Sequence, residues 1–260
     1  MNASQLKDRI RAGIVTPESK RDYVQGLFGR IAGRYDLTND VISAGLHRRW
    51  KRLVLELADI RPEHVVLDLA AGTGDLALRA VRTRAGGAGA DDGRDADQRA
   101  GLLIAGDLTV EMMRHGRTRG GAAAVSWLAC DAMRLPLADA SVDRVVIGYG
   151  LRNFPDLDQS IGEIRRVTRP GGRVVSLDFG RAEPEWLDRA YVGYLEVSTS
   201  AAGWLLHRDV ESYRYIPESL RTYPAQRGVA ELMQRHGFVH CGSVDLLFGT
   251  MAVNFADVPA

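Results

Sequence analysis

The run VVLDLAAGTGDLA, Val65 to Ala77, sets a carboxylate and a glycine-rich turn between an apolar, β-branched segment and the start of a helical pattern. Glycines at a strand-to-helix turn let a ligand approach the backbone, and the helix N-terminus offers free N–H groups. Asp68, Ala70, Gly72, Thr73 and Gly74 are therefore candidate ligand-binding positions. A dinucleotide and S-adenosylmethionine would both suit such a turn. The dinucleotide fingerprint G-x-G-x-x-G is met here only with an alanine, Ala77, in its third place. Asp68 and Asp75 would repel a pyrophosphate but suit an ammonium and a sulfonium, so charge favours S-adenosylmethionine.

Asp107, followed by Leu108, closes the run LLIAGD, where its carboxylate can accept from both hydroxyls of a ribose or simply cap a helix beginning at Thr109. Its distance from the glycine loop reaches the usual roughly 20 residues only when a Gly/Asp-rich insertion is excised. Asp131 and Ala132 follow VSWLAC and can read an adenine edge. A further run, RVVIGY, passes through Gly148 into Gly-Leu-Arg-Asn, which sets Arg152 and Asn153 at a strand end. In open α/β sheets ligands bind at that rim. Taken alone, Arg152 could equally pair with Asp156 or Asp178, and Asn153 could start a turn. His236 and His240 have helix-like spacing interrupted by Gly237, so no metal is expected.

The elements that must position these residues follow from periodicity. VVLDLA, LLIAGD, VSWLAC, RVVIGY and RVVSLDF are short apolar runs separated by helix-length segments, the pattern of a mostly parallel sheet with crossover helices. DLDQSIGEIRRVTRPGG predicts a helix with Ile161, Ile164 and Val167 inward, stopped at Pro170-Gly171-Gly172. Residues 1–60 read as helical, with a Leu27, Phe28, Ile31, Ala32, Tyr35 stripe and a Leu53, Leu57, Ile60 stripe. They could cover one edge of the site. Residues 84–101 read as a flexible insertion and 184–224 as an aromatic-rich substrate cap or helix-packing core, all within a single domain. CGSVDLLFGTMAVNFADV predicts two strands joined at Gly249.

The 260 residues are 45% hydrophobic and 26% charged with a net charge of +1, which argues against disorder and against a nucleic-acid binder reliant on a basic field. Cys130 and Cys241 form no C-x-x-C pair, and neither a signal peptide nor a membrane span is legible, so a cytoplasmic protein is expected. HRRWKR could lie at a bilayer headgroup layer on the inner face of the membrane, or be a solvated helix face.

With these elements in place, the chain resembles the quinone-biosynthetic C-methyltransferases often called UbiE/MenG. The resemblance runs from about Val24 to the end, outside the insertion. It rests on LFGRIAGRYDLTNDVISAGLHRRWK, LDLAAGTGD, DAMRLPLADASVDRVVIGYGLRN, RVTRPGGRVVSLDF and YRYIPESLRTYPAQ. It implies a class I S-adenosylmethionine-dependent methyltransferase, with a Rossmann-like, mostly parallel seven-stranded sheet and helices on both faces. It also implies no metal, S-adenosylhomocysteine as product, and a polyprenylated quinol as acceptor, most readily demethylmenaquinol, with a ubiquinone-pathway benzoquinol or a small-molecule O- or N-acceptor as the alternatives. A homodimer is left open. Thr73, Asp107, Asp131 and Ala132 take the family's cofactor positions. Gly148 stands where many members have serine, and Asn254 where histidine is common. A quinol carbon is a poor nucleophile until an adjacent hydroxyl loses its proton; on the resemblance, Arg152 would stabilise the phenolate and Asn153 orient it. A bound water, Tyr35, Asp36 and, more weakly, His207 remain open as the proton acceptor.

Overall fold

The computed structural model describes residues 10, 12–35, 40, 43, 45–87, 101–202 and 210–260. The apolar runs become strands β1 (Val66–Leu69), β2 (Leu103–Asp107), β3 (Ser126–Ala129), β4 (Val142–Gly148) and β5 (Thr168–Phe179), followed by β6 (Val239–Leu246) and β7 (Met251–Asp257). They form one seven-stranded sheet in the order β3-β2-β1-β4-β5-β7-β6. Only β7 runs against its neighbours, and it is joined to β6 by the expected turn at Leu247–Gly249. From β1 the chain winds outward through β2 and β3, then returns to place β4 on the other side. That reversal opens a crevice beyond the C-terminal ends of β1 and β4.

Successive strand residues face opposite sides, and both sides are covered, which is why the central strands read as unbroken apolar runs. Leu67, Val145 and Val174 pack against Ile161, Ile164 and Val167 of α5 (Leu157–Val167) and Val229 and Met233 of α8 (Ala225–Arg235). Val66, Val146 and Val175 pack against α2 (His47–Ala58) and α3 (Asp75–Gly87). Helix α4 (Val110–Arg117) follows β2.

Helix α1 (Pro17–Ile31) begins with a reciprocal cap in which Ser19 N donates to Thr16 Oγ1 at 3.2 Å and Thr16 N to Ser19 Oγ at 3.1 Å, with Pro17 in the first turn. Its Val24, Leu27 and Ile31 pack with Tyr215 of α7 (Val210–Leu220), which follows α6 (Glu185–Ala202).

Several expectations are corrected. The buried stripe of α2 is Trp50, Val54, Leu55 and Ala58, whereas Leu53 and Leu57 are only half-buried. His47, Trp50 and Lys51 of HRRWKR thus face inward, while Arg48, Arg49 and Arg52 are exposed, and Arg48 pairs with Asp40 at 2.7 Å. Helix α3 runs through residues 84–87, and residues 88–100 of the insertion lie outside the described residues. Pro170, Gly171 and Gly172 do not stop α5. It ends at Val167, and the trio sits inside β5, where the pairing with β4 slips register. In the cap, Leu195, Tyr215 and Tyr223 are buried while Trp186 and Tyr194 are exposed. Trp204, Leu205, Leu206 and His207 lie outside the described residues, as does Asp36.

Candidate active site

The crevice has a cavity volume of about 80 Å³ and opens to solvent, and it is lined by Ala70, Gly72, Asp107, Leu108, Asp131, Ala132 and Gly148. Its inner end adds Asp68 and Thr73. Of the cofactor positions expected from sequence, only Gly74 is not among the lining residues. Its φ is +73°, and an added Cβ would stand 2.5 Å from Trp127 Cη2, so its role is to let the loop turn tightly against that ring.

Each carboxylate is oriented by backbone. Asp68 Oδ2 accepts from Ala77 N at 2.9 Å, which caps the first turn of α3 from the preceding strand. Burial pushes this carboxyl up to about 7. Asp107 accepts from Gly72 N through Oδ2 and from Thr109 N through Oδ1, both at 2.7 Å, so it holds the turn that leads into α4 and fixes the glycine loop while also lining the cleft. Burial raises its pKa too. Asp131 Oδ1 accepts from Met133 N at 2.9 Å, and its Oδ2 lies 3.3 Å from Arg21 Nε of α1.

Asp75 requires a correction. Burial would raise its pKa, but Lys51 Nζ at 2.9 Å and Arg79 Nε at 3.1 Å outweigh that and hold it well below the usual carboxylate range. Arg119 stands 3.5 Å from its other oxygen. Its charge is already compensated, so the attraction expected for a cationic ligand falls to Asp68. Lys51, read from sequence as a surface cation, lines the inner end of the cleft beside Asp68 and Thr73. The signal available was the Trp50-Lys51, Val54-Leu55, Ala58 spacing of an inward helix face.

At the end of β4, Tyr149 has φ +62°, a left-handed conformation that costs a non-glycine residue about 1–3 kcal/mol. The polar pair that follows clasps it: Arg152 Nη1 donates to Tyr149 O at 2.8 Å and Asn153 Nδ2 to the same oxygen at 2.9 Å. Arg152 also pairs with Asp178 at 3.3 Å and lies with its guanidinium carbon 4.9 Å from the centroid of the Phe179 ring. Burial works against the guanidinium's charge, and Asp178 more than offsets it. The partner read as an alternative, Asp178, is thus the observed one, while Asp156 caps α5 by accepting from Gln159 N at 2.9 Å. Asn153 lines the cofactor cleft; Arg152 does not, and instead faces a neighbouring cavity of about 330 Å³. Arg152 Nε and Asn153 Oδ1 are buried with no hydrogen-bond partner.

Helix α1 roofs the cleft. Gln25 Nε2 donates to Leu108 O after β2 at 3.3 Å, Arg21 meets Asp131 after β3, and Lys20 Nζ donates to Phe154 O after β4 at 2.7 Å.

The sequence model of the ubiE/COQ5 methyltransferase family matches residues 16–257. The chain belongs to this family. It is 37% identical over 244 residues to the ubiquinone/menaquinone biosynthesis C-methyltransferase UbiE of Methylococcus capsulatus, covering 92% of this chain and 93% of that one. The UbiE of Acidiphilium cryptum is 38% identical, with 90% of each chain covered. Among solved structures, a SAM-dependent methyltransferase of Thermotoga maritima superposes with a TM-score of 0.59 at 16% identity, over 90% of this chain and 99% of that one. One from Aquifex aeolicus gives 0.54 at 16% identity, over 80% and 89%. The fold is therefore that of the class I S-adenosylmethionine-dependent methyltransferases.

The ubiE/COQ5 site fits that donor. With the donor bound, Asp107 would accept from ribose hydroxyls, Asp131 and Ala132 would meet adenine, and Asp68 would face an ammonium at the inner end, with Lys51 toward a carboxylate. When bound, the donor supplies an electrophilic methyl group. The protein's part is to align it, exclude water beneath α1 and activate an acceptor.

Proposed function

We propose that this protein methylates a ring carbon of a polyprenylated quinol, converting demethylmenaquinol to menaquinol. The observation that carries the reading is the cavity of about 330 Å³ beside the cofactor cleft, which shares Phe154 and Pro155 with it. Its volume falls at the lower end of the range for small-molecule pockets, and Leu151, Leu157 and Pro224 give it apolar walls suited to an aromatic ring. Arg152 reaches this cavity with its charge already fixed by Asp178, so its remaining donors can stabilise negative oxygen on a ring. A further cavity of about 180 Å³ under α6 and α7 meets the first at Tyr223 and offers Tyr191, Val192, Pro217 and Leu220 to an isoprenoid tail.

Such an acceptor resides in a bilayer. Among the described residues no helix is long and apolar enough to cross one. A peripheral contact belongs to this reading, with the exposed Trp186, Tyr194 and Val197 of α6 as its candidates.

The test incubates the purified protein with a methyl-labelled donor and two reduced acceptors, a demethylated naphthoquinol and the corresponding benzoquinol. Carbon-bound label on the naphthoquinol is expected. Label on the benzoquinol alone would move the protein to the ubiquinone pathway. Label on oxygen or nitrogen only would make it a different small-molecule methyltransferase.

A further inference from the structure

The acceptor's hydroxyl must lose a proton, and the groups around the second cavity differ in their capacity to take it. Arg152 stays protonated at any accessible pH. Asp178 is closed in by three N–H donors: Arg152 N at 3.2 Å, Arg152 Nη1 at 3.3 Å and Phe179 N at 2.8 Å. Asp156 is engaged as the cap of α5. Tyr215 and Tyr223 are buried phenols whose pKa burial pushes upward, so they hold their protons. Tyr35 lines the cofactor cleft and not this cavity.

Lys20 is different. It projects from α1 into the cavity that Arg152 also faces. Its hydrogen-bond partner is a carbonyl, Phe154 O at 2.7 Å, rather than a carboxylate. A neutral amine keeps that bond, more weakly than an ammonium, with its lone pair free, and the carbonyl belongs to a residue that lines both the cavity and the cofactor cleft. Burial, and then the nearby Arg152 charge, bring its pKa down to about 8, while Asp178 opposes the change.

We propose that Lys20 takes the hydroxyl proton of the aromatic acceptor, in the cavity it shares with Arg152. The inference rests on the quinol reading above. The O–H proton passes to Nζ, and the oxygen's electron pair moves into the ring as the adjacent carbon bonds to the methyl group and the methyl–sulfur bond breaks. The ring then loses its C–H proton to water, and Nζ returns the first proton to oxygen as aromaticity is restored. Acceptor and sulfonium donor give methylated quinol, S-adenosylhomocysteine and one proton. The ammonium formed beside Arg152 places a second positive charge against the phenolate while the carbon–carbon bond forms.

The experiment compares Lys20→Met, Lys20→Arg and Lys20→Ala with the parent. A general base contributes about 10²–10⁴-fold, so Lys20→Met loses rate by that factor, and Lys20→Arg, which keeps a donor for Phe154 O, holds its calorimetric affinity for S-adenosylhomocysteine within about twofold. Lys20→Arg restores the charge but not the rate. The parent's rate falls as pH drops below about 8, and that limb is absent from the residual rate of the variants. Added primary amines rescue Lys20→Ala, with a rate that rises with amine basicity. Parental rate and pH profile in Lys20→Met or Lys20→Arg would overturn the proposal.

A binding arm needs no turnover. 1-Naphthol binding, read by its fluorescence, should weaken at least about tenfold in Lys20→Met, the size expected for a lost hydrogen bond to a charged group. If the parent transfers no label to any quinol, the quinol reading fails. Lys20-dependent naphthol binding would still place the amine at an acceptor oxygen, and Lys20-independent binding would overturn the Lys20 proposal by itself.

Discussion

Asp68 sets up a proton coupling that calorimetry can count. In the free protein burial raises its pKa from 3.8 to about 7, a change of about 4 kcal/mol at 1.36 kcal/mol per unit. At pH 6.5 about three quarters of the molecules therefore carry a proton there, and at pH 8 about one tenth. A ligand ammonium placed against this carboxylate lowers its pKa by about 1–3 units, so S-adenosylhomocysteine should release about 0.5–0.8 protons on binding at pH 6.5 and about 0.1 at pH 8. The assay is titration calorimetry in buffers of different ionisation enthalpy, where the slope of observed heat against buffer heat gives the proton count. Asp68→Asn keeps an oxygen for Ala77 N but has no proton to give, so its slope at pH 6.5 should lie near zero. The same shift predicts the stability of the free protein. The folded state binds the extra proton between about pH 4 and pH 7, so stability is lost as pH rises through that window, and the Asp68→Asn difference isolates this loss from other titrations. Equal proton release in parent and variant would refute the reasoning and move the ammonium away from Asp68.

Asp178→Ala leaves Arg152 charged and unpartnered in the interior, which should cost about 3–5 kcal/mol, or about 6–20 °C of melting temperature. The apolar double substitution Arg152→Met, Asp178→Leu should recover most of that stability while abolishing turnover, and a single-variant loss below about 1 kcal/mol would show that the pair is not isolated from water. Gly74→Ala combines a strained φ of +73° with the Trp127 ring at 2.5 Å and should cost about 2–4 kcal/mol, whereas Gly171→Ala at φ +72° with nothing within 4 Å should cost only the backbone part, about 1–2 kcal/mol. Equal losses in thermal unfolding would remove the ring contact from the explanation.

The sheet was legible because its strands are buried on both faces, which makes each an apolar run, and because the carboxylates of the site sit one after another at strand ends. The loop at Gly72, Asp107 and Asp131 could be placed from that pattern alone. What periodicity could not reveal was pairing between distant residues. Asp75 reads as a charge awaiting a ligand until Lys51, 24 residues earlier, is found against it. The two stripes available to α2 differ by one position, and only packing on β4 and β5 selects the one that turns Trp50 and Lys51 inward. Arg152 stood correctly at the end of β4, but the direction of its side chain depends on Asp178 and on the strained carbonyl of Tyr149. Lys20 carried no sequence signal, since its character comes from burial under a different part of the chain.

Helix α1 is stitched to the loops after β2, β3 and β4 by Gln25, Arg21 and Lys20. Those contacts tie one helix to the loops of three different strands at once, so loosening any one of them would shift Lys20 relative to Arg152 and alter the cofactor cleft and its neighbouring cavity together.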